Sequence, residues 1–219
     1  MDSFIEIIKN SFTRTAHTIK YFPLIFASMI VMKLSLNMSN NILFRLSVSK
    51  EISNVIIAVL VTFLLSILLN MLSISVHTRD NYQIEPITIP KLMLKVAFNG
   101  GILLLLYFFL KKYEGAVIIL LLIFNPLVET LYMIDEEFYK SIWTSLKFNF
   151  KNFLTWNIPN VVIFAILFNL IMKNYTFEDF IMSNEVVSIL KFGLLLMFIS
   201  LFMLYRANLY RILETGENK

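Results

Sequence analysis

Long apolar runs alternate with short polar stretches along the chain. The clearest run, Val55 to Val76, lies inside an uncharged stretch bounded by Glu51 and Arg79. About 20 mostly apolar residues suffice for a helix to cross the hydrocarbon core of a bilayer. Five further runs predict spans: Tyr21 to Leu36, Leu92 to Leu110, Gly115 to Ile134, Asn157 to Met172 and Val186 to Tyr205. Lys33 interrupts the first of these, and its long stem can carry the ammonium back to the interface. The pattern therefore predicts an all-α polytopic membrane bundle of about six spans.

Two segments follow a different rule. On a helix of about 100° per residue, Phe138, Ile142, Leu146, Phe150 and Phe153 share one face of residues 138–156, with Trp143 on its flank. Lys140, Thr144, Lys147 and Lys151 lie opposite. Asn149 on the apolar face and Phe148 on the polar face break the pattern. An aromatic face backed by lysines predicts a helix lying in the headgroup region; the cytoplasmic end of a longer spanning helix is the plainer alternative. The N-terminal segment repeats the design. Phe4, Ile5, Ile8, Phe12, Ala16 and Ile19 form one face, and Ser3 with Glu6 supplies a capping-box start.

Each of these segments leads through a proline, Pro23 or Pro159, into an apolar run, and Pro90 stands before a third. Pro costs little in the first turn of a helix. The chain thus divides into three helical hairpins within one membrane domain, 1–77, 78–134 and 135–210. Phe4, Ile8 and Ser11 match Phe138, Ile142 and Ser145 at one fixed spacing, which either duplication or chance likeness between amphipathic helices explains.

Composition strengthens the membrane reading. Hydrophobic residues make up 58% of the 219 and charged ones 16%, against roughly 45–50% and about 25% in ordinary globular chains. The mean hydropathy is +0.75. Lipid takes up apolar surface that so few charges leave uncovered. No cysteine is present, which excludes disulfides, thiolate metal sites and a Cys nucleophile. The net charge of +4 reads as loop charge and gives no reason to expect nucleic acid. Twelve Lys and Arg fall on the side of both termini and seven on the other, so the positive-inside rule places both termini in the cytoplasm. The composition favours a bacterial cell membrane.

Candidate chemistry is sparse. Glu129 stands inside an apolar run, one turn after Asn125-Pro126. A carboxylate in a span faces a bundle interior or a watery cavity, and Lys95 and Lys191 are the intramembrane cations able to pair with it. Such a group serves as a proton, ion or headgroup site. Alternatively it reaches cytoplasmic water directly, because Asp135-Glu136-Glu137 follows closely. Asn125-Pro126 breaks its helix, either as a simple kink or as the discontinuous helix of a transporter. Lys140, Lys147, Lys151, Trp143 and Trp156 are the candidate lipid-surface contacts. The two histidines, His17 and His77, lie far apart, and no H-E-x-x-H, G-x-S-x-G or phosphate loop occurs. No catalytic residue, metal or cofactor is predicted.

A late proline, an acidic turn and then "SIWTSLKFNFKNF", residues 141–153, form a sequence that resembles bacterial six-span proteins. These include the membrane domain attached to some glycerophosphodiester phosphodiesterases and the YciC-like integral membrane proteins. The closing "YRANLYRILE" is similar to their ending. The resemblance implies an all-helical bundle and no catalytic residues, since the phosphodiesterase activity belongs to a separate domain. The leading expectation is a non-enzymatic accessory or scaffold protein whose ligand is lipid, a partner membrane protein or a transporter ATPase. The runner-up is a small transporter using Glu129 with Lys95 or Lys191.

Overall fold

The computed structural model describes residues 2–77, 87–176 and 185–216, without the side chains of 2, 3, 167, 168, 170–176 and 185–191. These residues are helical almost throughout, with no strand among them. In chain order the helices are α1 (Asp2–Thr18), α2 (Phe22–Arg45), α3 (Lys50–His77), α4 (Ile89–Leu110), α5 (Glu114–Ile123), α6 (Leu127–Met133), α7 (Ser141–Thr176) and α8 (Glu185–Thr215). Five stretches among the described residues are long and apolar enough to cross a membrane: Phe4–Arg45, Lys50–His77, Ile89–Leu110, Glu114–Met133 and Phe192–Thr215. The run Asn157 to Met172 lies within α7, and part of it falls outside the described side chains.

Helix boundaries follow local chemistry. Thr88 is extended (φ −61°, ψ 143°) ahead of α4, which starts with Pro90 in its first turn, where the missing N–H costs nothing. Residues 114–133 do not form one continuous helix. Pro126 cannot donate to the Leu122 carbonyl, and the Leu127 N–H turns to the Phe124 carbonyl at 3.0 Å. Regular pairing resumes where the Thr130 N–H meets the Pro126 carbonyl, also at 3.0 Å. In α7 the break falls at Asn152 (φ −118°, ψ 24°).

The chain forms two compact units, residues 1–22 with 152–219, and residues 23–151. In the first, α1 packs along α8. Ser11, Thr15 and Thr18 are buried, and the Asn208 amide donates to the Thr18 hydroxyl at 3.0 Å. Phe12 meets Tyr205 with ring centroids 4.8 Å apart. The second unit packs α3 on α4, with α6 against both. Every buried residue of α3 lies between Ser66 and His77, and the Asn70 amide donates to the Ile87 carbonyl at 2.8 Å.

Small polar side chains mark the protein-facing sides of these helices. Without water to expel, helices in lipid associate through close packing, which small residues permit. Their hydroxyls are satisfied within their own helix, as in Ser11 to the Ile7 carbonyl (2.8 Å) and Thr15 to the Ser11 carbonyl (2.7 Å). The likeness between segments extends past Ser11 and Ser145. At the same spacing of 134 residues, the regular helix ends at Thr18 (φ −88°, ψ −2°) and breaks at Asn152. Ser66 and Ser200, also 134 apart, are both completely buried.

Candidate functional site: the acidic turn and its clamp

One side of α4 carries Lys91, Lys95 and Asn99, each four residues after the last, so the three side chains stack along the helix. All three reach the segment joining α6 to α7. Lys91 forms an ion pair with Asp135. Lys95 is completely buried and donates to the Ile134 carbonyl at 2.6 Å and the Leu131 carbonyl at 3.3 Å. The Asn99 amide donates to the Phe138 carbonyl at 2.9 Å and the Lys95 carbonyl at 2.7 Å.

This geometry gives the buried ammonium a role. Helix α6 ends at Met133, where the last carbonyls lack helical partners and the dipole is negative. Lys95 caps that end with its positive charge. Sequence reasoning offered Lys95 as a partner for Glu129; its ammonium instead serves the backbone one turn further on.

Glu129 sits in the first turn of α6 and is 3% exposed, beside the buried Leu127, Thr130, Leu131, Tyr132 and Met133. Its carboxylate is therefore buried in the protein interior. Lys191 lies on α8, but its side chain is outside the described residues.

The break at Asn125-Pro126 is closed from α7. The Asn149 amide donates to the Leu122 carbonyl at 3.1 Å and the Ile123 carbonyl at 2.9 Å. Those are the two carbonyls left behind when Pro126 lacks an N–H and Leu127 shifts its bond to Phe124. Asn149 is 3% exposed, and its place on an otherwise apolar face was the one signal of this role in the sequence. Asn99, an amide within an apolar run, is placed to bond across helices; its partner, the Phe138 carbonyl, lies 39 residues away.

The acidic turn is tied at its outer edge as well. Lys140 bonds Glu137 at 2.8 Å, and the Thr144 hydroxyl donates to Glu136 Oε2 at 2.7 Å. The hydrogen bond from Lys140 and one from Tyr139 hold the Glu137 carboxyl below the usual carboxylate range. The same bond to Glu137 raises Lys140 and Tyr139. The sign follows. A depressed Glu137 supports the turn above its unfolded value of 4.5 and ceases to as pH falls through the folded value. A raised Lys140 contributes below 10.5 and is lost as pH rises through its folded value. The groups are exposed, so the effect is small. Proteolysis at residues 135–140 is expected to accelerate modestly below pH 4.5 and stay flat from pH 5 to 9.

Along the first segment of α7 the structure sorts residues into buried and exposed sides. Ser141, Ser145, Phe148 and Asn149 are buried. Trp143 is 62% exposed and Phe150 77%, and Lys140, Lys147 and Lys151 are exposed. The Lys147 ammonium lies 5.5 Å from the Trp143 ring centroid, and Lys140 lies 5.5 Å from that of Tyr139. Trp156 departs from the surface role its position predicts. It is completely buried, edge-on to Tyr210 at 5.9 Å and under the Arg206 guanidinium at 5.0 Å. The non-helical backbone at Asn152 interrupts the periodicity, so one continuous face does not extend from Phe138 to Trp156.

No family model, characterised protein or solved structure matches the chain. The functional reading therefore rests on the residues and their geometry.

Proposed function

We propose that this chain is a non-enzymatic accessory or scaffold protein of a bacterial inner membrane. It crosses six times with both termini in the cytoplasm, the layout of the six-span membrane domains that residues 141–153 resemble. The segments 2–18 and 141–151 lie along the cytoplasmic leaflet and engage lipid or a partner such as a transporter ATPase. One observation carries this reading: of the two intramembrane lysines that a transport pathway would use, Lys95 and Lys191, the one whose side chain is described, Lys95, is committed to the carbonyls of Leu131 and Ile134. The exposed tryptophan and lysines of α7 are then the surface left for recognition.

Charge reversal of Lys140, Lys147 and Lys151 to Glu tests it. The variant is expected to insert and fold, yet to lose co-purifying partner protein or bound lipid by tenfold or more. Unchanged co-purification of both would defeat the proposal. A second reading, a small transporter, is favoured by the burial of Glu129 beside a broken helix. Glu129→Gln distinguishes the two: reconstituted vesicles of a transporter lose proton- or cation-coupled flux, whereas a scaffold retains partner binding.

A further inference from the structure

We propose that the exposed side of the first segment of α7 binds the phosphate of an anionic phospholipid, through Lys147 and Lys151 beside Trp143. The inference rests on the interfacial placement of that segment and adds the chemical class of its ligand.

Charge accounting around the acidic turn singles out these two lysines. Lys91 is neutralised by Asp135 and Lys140 by Glu137. Lys147 and Lys151 form no ion pair among the described residues, and both are exposed. They lie one helical turn apart, which brings their stems roughly 5–6 Å from each other at Cβ, a spacing that one phosphodiester can bridge.

Depth is set by the aromatic neighbours. An indole ring prefers the headgroup level, with its apolar body inward and its N–H outward. The contact between Lys147 and the exposed Trp143 ring fixes the ammonium beside that level. Phe150, 77% exposed, stands on the same helical segment. A free phosphate would satisfy the two charges and leave that side chain facing water. A phospholipid satisfies both, its phosphate on the lysines and its chains along Phe150. An acidic peptide would match the charges and leave the aromatic side without hydrocarbon, so lipid is the occupant the surface fits.

The two tryptophans make the test direct. Trp143 is exposed and Trp156 is completely buried, so the difference in emission between the native protein and Trp143→Phe isolates Trp143. Both are reconstituted in phosphatidylcholine vesicles with a small, equal fraction of brominated phosphatidylglycerol or brominated phosphatidylcholine. The brominated anionic lipid is expected to quench Trp143 as though enriched about tenfold or more around it, given the attraction of two lysines. Lys147→Gln with Lys151→Gln should erase the preference while leaving quenching by brominated phosphatidylcholine intact. Equal quenching of the native protein by both lipids overturns the headgroup site but leaves α7 in the interface. Absence of quenching by either lipid overturns the interfacial placement. Loss of the preference on adding millimolar inorganic phosphate assigns the site to a free anion and overturns the lipid.

Discussion

Asn149→Leu is expected to lower stability by up to about 2–6 kcal/mol, since it strips the partner from two part-buried carbonyls at up to about 1–3 kcal/mol each. Leu has the same number of side-chain heavy atoms in the same branched outline, and the double-mutant cycle below separates the crowding by its larger methyl groups from the loss of the amide. The loss arises because the helix supplies no donor at this point: Pro126 has no N–H for the Leu122 carbonyl, and the Leu127 N–H that would reach Ile123 is engaged with Phe124. Lipid offers no water to replace the amide. A double-mutant cycle makes the claim specific. Pro126→Ala restores an N–H able to reach the Leu122 carbonyl, so Asn149→Leu should cost less in that background, by about 1 kcal/mol or more. Stability is read as the midpoint of denaturing-detergent unfolding in mixed micelles. If the cost of Asn149→Leu is the same with and without Pro126, the amide is not the cap of the broken helix.

Individual residues mark how far sequence carries. The long runs of α3 and α4 were legible because hydrocarbon thickness imposes a length that apolar residues must meet. Pro126 announced the α5–α6 break through its missing N–H. Its resolution was hidden, since Asn149 lies 26 and 27 residues from the carbonyls it caps and local periodicity does not report such distances. Lys95 was visible as an intramembrane charge, but its partners are backbone carbonyls, which every residue possesses and no sequence pattern marks. Glu129 was legible as a carboxylate inside an apolar run; whether it is buried, and what it serves, was not.

A more general difficulty appears in α1 and α7. Periodicity identified which residues share a face, yet it did not say which face meets protein. In water the apolar face is buried. In or on a bilayer, lipid competes for that face, and small polar residues carry the protein contact. Ile5, Phe12 and Ile19 are each more than half exposed, while Ser11, Thr15 and Thr18 are buried. Ser145 and Asn149 repeat the arrangement in α7. The polar residues that looked like interruptions of an amphipathic pattern are the packing surface.

Trp156→Ala tests that reversal, with an expected loss of about 3–5 kcal/mol from removing a fully buried aromatic side chain. Its ring meets the edge of Tyr210 and carries Arg206, which also lies over Phe202 at 5.6 Å. Truncation removes the ring contact and leaves a cavity in the unit built from α1, α8 and residues 152–176. Trp156→Phe keeps a ring against Tyr210 and should recover about half of the loss. Trp143, 62% exposed, supplies the contrast within one helix. Trp143→Ala removes a ring that is largely exposed in the folded protein, and should cost under about 1 kcal/mol, as surface substitutions do. The two alanine variants, unfolded side by side in mixed micelles, separate the two environments. Equal and small losses would return Trp156 to the lipid-surface role that the sequence predicts and remove the kink at Asn152 from the account of how α7 is packed.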